Sequence, residues 1–391
     1  LLLLFFIFSF IIIFIVYKNF FTSSNNDESN NNSDSNTSKK NYDITDNIES
    51  DHDSAIDTIF ANGMNIESYK AVVDQNTNYI KSNAKYNYID YDFDSKLHYS
   101  EIEDIIKNMN NSDIVNVEII GKSVDKRNIY GIEIGTGKKV LYLDANVHAA
   151  EIANTLILTK FLSELVNDYE SGDEETISML KSVKLAVILC MNPDGYEVYN
   201  FGVNSLNNKS LWMYQNKDNI DFENIKSNAN GVDLNRNYPV QNAGLYFSGK
   251  KLLYNVSLTK TTSKTAYFGG EELGSEPETR AAMYFMLKHY KNTYAYINLH
   301  SQGRVIYAGK PNLSNKFNKI TLKFAKDIAK INKYTVYGLS SEEVGEGNDG
   351  SVTDFMAELA NGFVMSSKTG RLSTDKHINN SCELKYSYYV I

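Results

Sequence analysis

Apolar positions along the chain fall into three regimes. Residues 1–17, LLLLFFIFSFIIIFIVY, hold no charge and almost no polar group. Residues 18–57 are the opposite, with runs of Asn, Ser and Asp and little to bury. From Leu97 onward the pattern becomes periodic. HYSEIEDIIKNM (98–109) places Ile102, Ile105 and Ile106 on one helical face. VNVEIIG (115–121) and NIYGIEIG (128–135) read as strands across a polar turn, and KKVLYLDAN (138–146) and VKLAVILC (183–190) as buried strands. Between the last two, IANTLILTKFLSELVNDY (152–169) has apolar residues at 152, 156, 157, 161, 162, 165 and 166, an amphipathic helix. Strand, helix, strand is a βαβ unit. It predicts an α/β fold with a mixed, largely parallel sheet, helices on both faces, and ligands beyond the carboxyl ends of the strands.

Further along, SEPETRAAMYFMLKHY (275–290) predicts a helix with Ser275 as N-cap and Glu278 completing a capping box. YAYINLH (294–300) is a strand that ends in histidine, and TLKFAKDIAKIN (321–332) a helix. LKYSYYVI (384–391) is a strand rich in aromatic and β-branched residues, with no turn or cap after it. A domain that stops in mid-strand is expected to be truncated.

The two front regimes predict an attachment. As a helix, residues 1–17 reach about 26 Å, slightly short of a ~30 Å hydrocarbon core. No clear small-residue cleavage site follows, so the expectation is an uncleaved transmembrane signal anchor, with a cleaved signal peptide as the alternative. Residues 18–57 cannot bury enough surface to offset ordering entropy and read as a disordered stalk. Residues 58–96 carry scattered apolar positions (Ile59, Phe60, Met64, Tyr69, Val72, Val73, Ile80) and read as a spacer or a short helix or two. This layout predicts a main domain, 97–391, held outside the cytoplasm by a membrane helix, or secreted if the front segment is cleaved.

Composition narrows the classes. A chain with 42% hydrophobic and 22% charged residues can bury a large core. Its net charge of −9 argues against nucleic acid, which needs a basic face. Two cysteines exclude a disulfide-stapled mini-domain and a four-cysteine metal site. Four prolines and no short repeat exclude collagen-like and solenoid architectures.

Of six histidines, only His148 and His300 end an apolar strand. NVHAAE puts Glu151 three residues after His148, at the first turn of the 152–169 helix. That turn aims an imidazole and a carboxylate at one spot, which suits Zn²⁺ with N and O donors. A glutamate there is also favoured by the helix dipole alone, and a strand-end histidine such as His300 is often a hydrogen-bonded structural residue. GVDLNRNYP (231–239) holds Asn235 and Arg236 in an aperiodic loop. Arg236 offers a planar fork for a carboxylate, Asn235 a neutral donor beside it, and Asp233 an acceptor for the free N–H of a metal-bound imidazole. NPDGY (192–196) follows the 183–190 strand as an Asx–Pro turn on the same edge.

The ordered set HAAE, NPDGY, GVDLNRNYP, SEPET and NLHS resembles the zinc metallocarboxypeptidase family, over roughly residues 97–391. The resemblance implies an eight-stranded mixed sheet and one zinc ion bound by His148, Glu151 and His300. It also implies that Asn235 and Arg236 hold the substrate's carboxylate and that Asp233 orients His148. NLHSQGRVIYAG is closer to the bacterial branch that cuts cell-wall peptides, the γ-D-glutamyl–diaminopimelate peptidases and murein tripeptide amidases, than to digestive carboxypeptidases. Three departures stand out. The family's catalytic glutamate is expected just beyond Ile391, with Glu358 and Glu383 as in-chain substitutes. Trp212 is followed by Met213, where digestive members carry an arginine. GSVTDFMA (350–357) shows no counterpart of their substrate-capping tyrosine. The expectation is a zinc-dependent peptidase acting on an amide bond near a free carboxylate in cell-wall peptides. The alternatives are a general metallocarboxypeptidase and a surface-anchored binding protein without a general base.

Overall fold

The computed structural model describes residues 77–78, 84–93, 95–217, 224–239, 268–301, 303–308, 315–337, 350–361 and 380–386. The expected signal anchor (1–17) and stalk (18–57) lie outside these residues. Among the described residues no helix is long and apolar enough to cross a membrane.

Helix α1 (Tyr99–Met109) forms where the spacing predicts it, with Ile102, Ile105, Ile106 and Met109 buried on one face. Each such side chain contributes about 1.5–3 kcal/mol on leaving water. Two antiparallel strands follow, β2 (Val115–Lys122) and β3 (Asn128–Ile134), then β4 (Lys139–Ala145). Helix α2 (Ile152–Ser171) stops at Gly172, whose left-handed φ of 87° closes the C-terminus at no steric cost. Helix α3 (Glu174–Ser182) starts at once, because the Asp173 carboxylate accepts from the Thr176 N–H. Strand β5 (Val183–Ile188) leads into α4 (Pro193–Phe201), followed by the short α5 (Lys209–Gln215). Helix α6 (Pro277–His289), strands β6 (Thr293–Ser301) and β7 (Val305–Ala308), and helix α7 (Asn315–Asn332) come next. Strand β8 (Thr335–Tyr337), helix α8 (Val352–Asn361) and β9 (Asn380–Tyr386) complete the described set.

One sheet gathers all of them. With β1 (Thr77–Asn78), a pair of residues from the expected spacer, its order is β1-β2-β3-β5-β4-β6-β9-β7-β8. Among the described residues the sheet therefore has nine strands rather than the eight expected, the extra one being this short edge strand laid on β2. It is mixed, as expected, but not largely parallel: parallel and antiparallel pairings are equal in number among the described strands. Pairs β4–β5, β4–β6, β6–β9 and β7–β8 are parallel; β1–β2, β2–β3, β3–β5 and β7–β9 are antiparallel. The parallel core is β5-β4-β6-β9, and hairpin pairing supplies one flank.

Both faces are covered, as alternation requires. Leu141, Leu143 and Ala145 of β4 pack with α1, α2, α3 and α7 on one side. Val140 and Tyr142 pack with α6 and α8 on the other. Among the described residues of the expected spacer, Ile89 is buried, and Tyr86 Oη donates to Asn167 Oδ1 at 2.6 Å, which ties this stretch to α2. Three boundaries move. The 275–290 helix begins at Pro277 with Glu276, not Ser275, as N-cap, and no side chain caps it. NPDGY is a helix start rather than an isolated turn, with Asn192 Oδ1 accepting from Gly195 N–H. The strand expected over 384–391 is described only as Asn380–Tyr386.

Candidate metal centre

The site grows from the carboxyl ends of β4 and β6, the neighbouring parallel strands at the centre of the sheet. At the end of β4, Asn146 takes a left-handed φ of 57°, a conformation asparagine tolerates better than most residues, and turns the chain toward His148. Glu151 then sits at the N-cap of α2, yet its side chain makes no cap bond. Its carboxylate turns to the histidines instead. His148 Nδ1 lies 2.8 Å from Glu151 Oε1, and His300 Nδ1, from β6, lies 2.9 Å from Glu151 Oε2. All three residues are buried, at 4%, 7% and 0% exposure. Asn154 of α2 donates to the Leu299 carbonyl at 3.3 Å, tying the helix that carries Glu151 to the strand that carries His300.

The electrostatics follow from this packing. Burial opposes charge on Glu151, but His148 and His300 outweigh it and hold the carboxyl well below its usual range. Burial pushes His148 down, while Glu151 and Asp233 outweigh it and raise the ring above its ordinary value. Asp233 Oδ1 lies 3.2 Å from His148 Nε2. Despite its own burial, Asp233 is held well below the carboxylate range by His148, Arg236 and Lys226.

The donor chemistry fits zinc. Two imidazole nitrogens and a carboxylate have ligand atoms within 4.8 Å of one another, and a carboxylate stands on the far nitrogen of one ring. Three protein donors are the number that leaves a coordination position for water or substrate. The structure thus brings together His148, Glu151, His300 and Asp233 as their motifs predict.

Asn235 and Arg236 form a short 3₁₀ turn, Leu234–Arg236, opened by Asp233, which accepts from the Asn235 N–H at 3.0 Å. The same aspartate thus sets this turn and faces His148. Asn235 Oδ1 accepts from Val352 N–H at 3.0 Å, which fixes the amide with its NH₂ as the group left to donate. Arg236 is half-buried, and its Nη1 donates to the Asn235 carbonyl at 2.7 Å.

Lys226 carries no sequence signal and is a residue the motifs miss. Its carbonyl lies 3.4 Å from Ala149 N, and the neighbouring Ile225 carbonyl accepts from Ala150 N at 2.9 Å. The lysine therefore runs alongside the segment joining His148 to Glu151, and its charge acts on both His148 and Asp233. Trp212 is buried against Ala149 and Ile225, while Met213 is 58% exposed.

NPDGY and SEPET do not reach the metal donors. They meet in a buried polar brace behind them. Asp194 accepts from Ser123 Oγ (2.7 Å), Asp125 N–H (2.8 Å) and Arg127 Nη1 (2.9 Å). Glu278 accepts from Val124 N–H (3.0 Å) and Asn228 Nδ2 (3.1 Å). Glu276 accepts from Asn228 Nδ2 (2.7 Å) and Asn230 Nδ2 (2.9 Å). Gly195 lets this corner close: a Cβ there would stand 2.5 Å from Ala149 Cβ. Of the two in-chain glutamates considered for the general base, Glu383 lies on β9 level with Asn298, two residues before the position level with His300. Glu358 lies on α8.

The zinc carboxypeptidase family model matches residues 102–384. The γ-D-glutamyl-L-diamino acid endopeptidase 1 of Lysinibacillus sphaericus is 32% identical over 201 residues, covering 50% of this chain and 47% of that protein. The carboxypeptidase N catalytic chain of Homo sapiens is 27% identical over 206 residues, covering 51% and 40%. The chain thus spans about half the length, or less, of these curated relatives. The crystal structure of carboxypeptidase A from Helicoverpa armigera superposes with a TM-score of 0.55 at 19% identity, over 83% of this chain and 71% of that one, a likeness of fold. On the extent of the family match, the chain belongs to the zinc carboxypeptidase family.

Proposed function

We propose that the chain is a zinc-dependent peptidase that hydrolyses an amide bond close to a free carboxylate, and that its substrates are cell-wall peptides with a γ-D-glutamyl–diamino acid bond. The observation that carries the reading is the convergence of His148 Nδ1 and His300 Nδ1 on one buried carboxylate, Glu151, with Asp233 linking that cluster to the Asn235–Arg236 turn. Zinc held there supplies Lewis acidity and activates water at neutral pH. Asp233 holds the His148 ring in one orientation. Arg236 receives the substrate's carboxylate in its fork, and the Asn235 amide donates beside it. Lys226 offers a second cation next to the reacting end, for the carbonyl or for another carboxylate. Support for the cell-wall substrate comes from the endopeptidase relative and from NLHSQGRVIYAG. The apolar 1–17 segment and polar 18–57 stretch support a domain placed outside the membrane, where that polymer lies.

The test is an assay on a γ-D-glutamyl–diaminopimelate tripeptide beside N-blocked dipeptides, with and without chelator. Cleavage of the tripeptide, lost on chelation, restored by zinc and absent in His148→Ala, is the expected result. Cleavage of the dipeptides alone would make the protein a general carboxypeptidase. Binding without cleavage would make it a binding protein. Arg236→Ala is expected to raise KM about 10- to 100-fold, the worth of a charge-assisted fork, while zinc is retained. An unchanged KM removes that role.

A further inference from the structure

The two strands that deliver the histidines are parallel neighbours, with Asp144 level with Asn298 and Ala145 with Leu299. At that level stands a carboxyl the metal reading does not use. Asp144 is 0% exposed and lies four residues ahead of His148. Tyr296 Oη donates to its Oδ2 at 2.8 Å, and Asn298 Nδ2 donates to its Oδ1. Both donors belong to β6. Alternation puts Tyr296, Asn298 and His300 on one side of that strand, so the clamp sits directly under the ligand.

A buried carboxyl is an expensive way to fill space, since an apolar side chain of similar size needs no hydrogen bonds. What Asp144 supplies, and an apolar residue cannot, is a directional tie from β4 to β6. The ladder has a use for one. Its register shifts between Val140 and Leu141, so the alignment of the ligand-bearing ends is set after that irregularity, where Asp144 stands.

We propose that Asp144 is a positioning residue for the metal centre: its clamp on Tyr296 and Asn298 fixes β6 against β4 and so fixes the separation of His300 from His148. The inference rests on the reading that these histidines and Glu151 hold zinc. Burial pushes the Asp144 carboxyl up to about 7, against the pull of Asn298 and Tyr296. An amide has the shape to stand in for it: the oxygen of Asp144→Asn accepts from Asn298 and its NH₂ donates to the Tyr296 oxygen.

The experiment measures zinc dissociation by chelator competition, and the thermal midpoint of the zinc-free protein, for wild type, Asp144→Ala, Asp144→Asn and Ile105→Ala. Ile105 is fully buried on α1, outside the site, and controls for lost stability alone. Asp144→Ala is expected to weaken zinc about 10-fold or more, in the range for residues that orient metal ligands. Asp144→Asn is expected to recover most of that loss. Ile105→Ala is expected to lower the midpoint while leaving zinc affinity near wild type. Should Asp144→Ala fail to fold, Tyr296→Phe removes one donor, keeps the ring, and is expected to weaken zinc in the same direction. Wild-type zinc affinity in the folded clamp variants overturns the proposal, as does an equal loss in Ile105→Ala. A wild type that holds no zinc overturns the metal reading, and the clamp with it, a failure visible before any variant is made.

Discussion

Glu151 stands where a glutamate ordinarily serves the helix behind it, and it serves the two histidines instead. A side chain drawn away from its local role marks a site more surely than the four-residue motif containing it. His148, Glu151 and His300 were legible because two local signals coincide, the end of an apolar strand and a strand-to-helix turn. Asp233, Asn235 and Arg236 were legible as an aperiodic run of polar types with obvious chemistry. Lys226 and Asp144 were not, since each is defined by neighbours that the linear pattern cannot supply: Asp144 meets Asn298 across 154 residues. Lys226→Met is expected to leave zinc affinity near wild type and to lower kcat/KM about 10-fold or more, the loss of one charge-assisted contact. Equal turnover in that variant would return the lysine to a structural part. Gly195→Ala is expected to destabilise by about 1–3 kcal/mol through overpacking against Ala149, read from the urea midpoint.

At the scale of elements, the periodic segments were readable and their ends were not. The Ser275–Glu278 capping box fails for a stated cause. Pro277 occupies the first helical turn and moves the N-cap to Glu276, while Glu278 is claimed by Val124 and Asn228. The eight-strand expectation fails because Thr77–Asn78 holds no apolar alternation, only a place on the edge of β2. The brace built from NPDGY and SEPET has its own signature in pH. Burial first, then Asp194 and Glu276, push the Glu278 carboxyl from 4.5 up to about 8. The folded state therefore holds this proton more tightly than the unfolded chain. Its contribution to stability is complete below about 4.5 and is lost as pH rises to about 8. Glu278→Gln is expected to cost about 1 kcal/mol at acid pH, because its amide meets the Asn228 donor, and to flatten the fall between those values. Urea unfolding across that range decides it, and parallel slopes for the two proteins would contradict the assignment.

For the described part of the molecule, two apolar layers flank one sheet, and the candidate metal donors sit at the carboxyl ends of its central strands. The folded protein is thus the form that binds zinc, and binding must raise its stability by mass action. Free zinc at 100 times its dissociation constant is expected to add about 2.7 kcal/mol, visible as a higher midpoint that chelator reverses. An unmoved midpoint would mean no zinc is held. The contact between Glu151 and His300 spans 149 residues and closes only when β6 has docked on β4. Chain-closure entropy places such a meeting late, after the local hairpins and helices have formed. Zinc is then a latch that shuts on a finished frame rather than a seed for it. Refolding is expected to run at one rate with or without the ion, while unfolding slows in its presence.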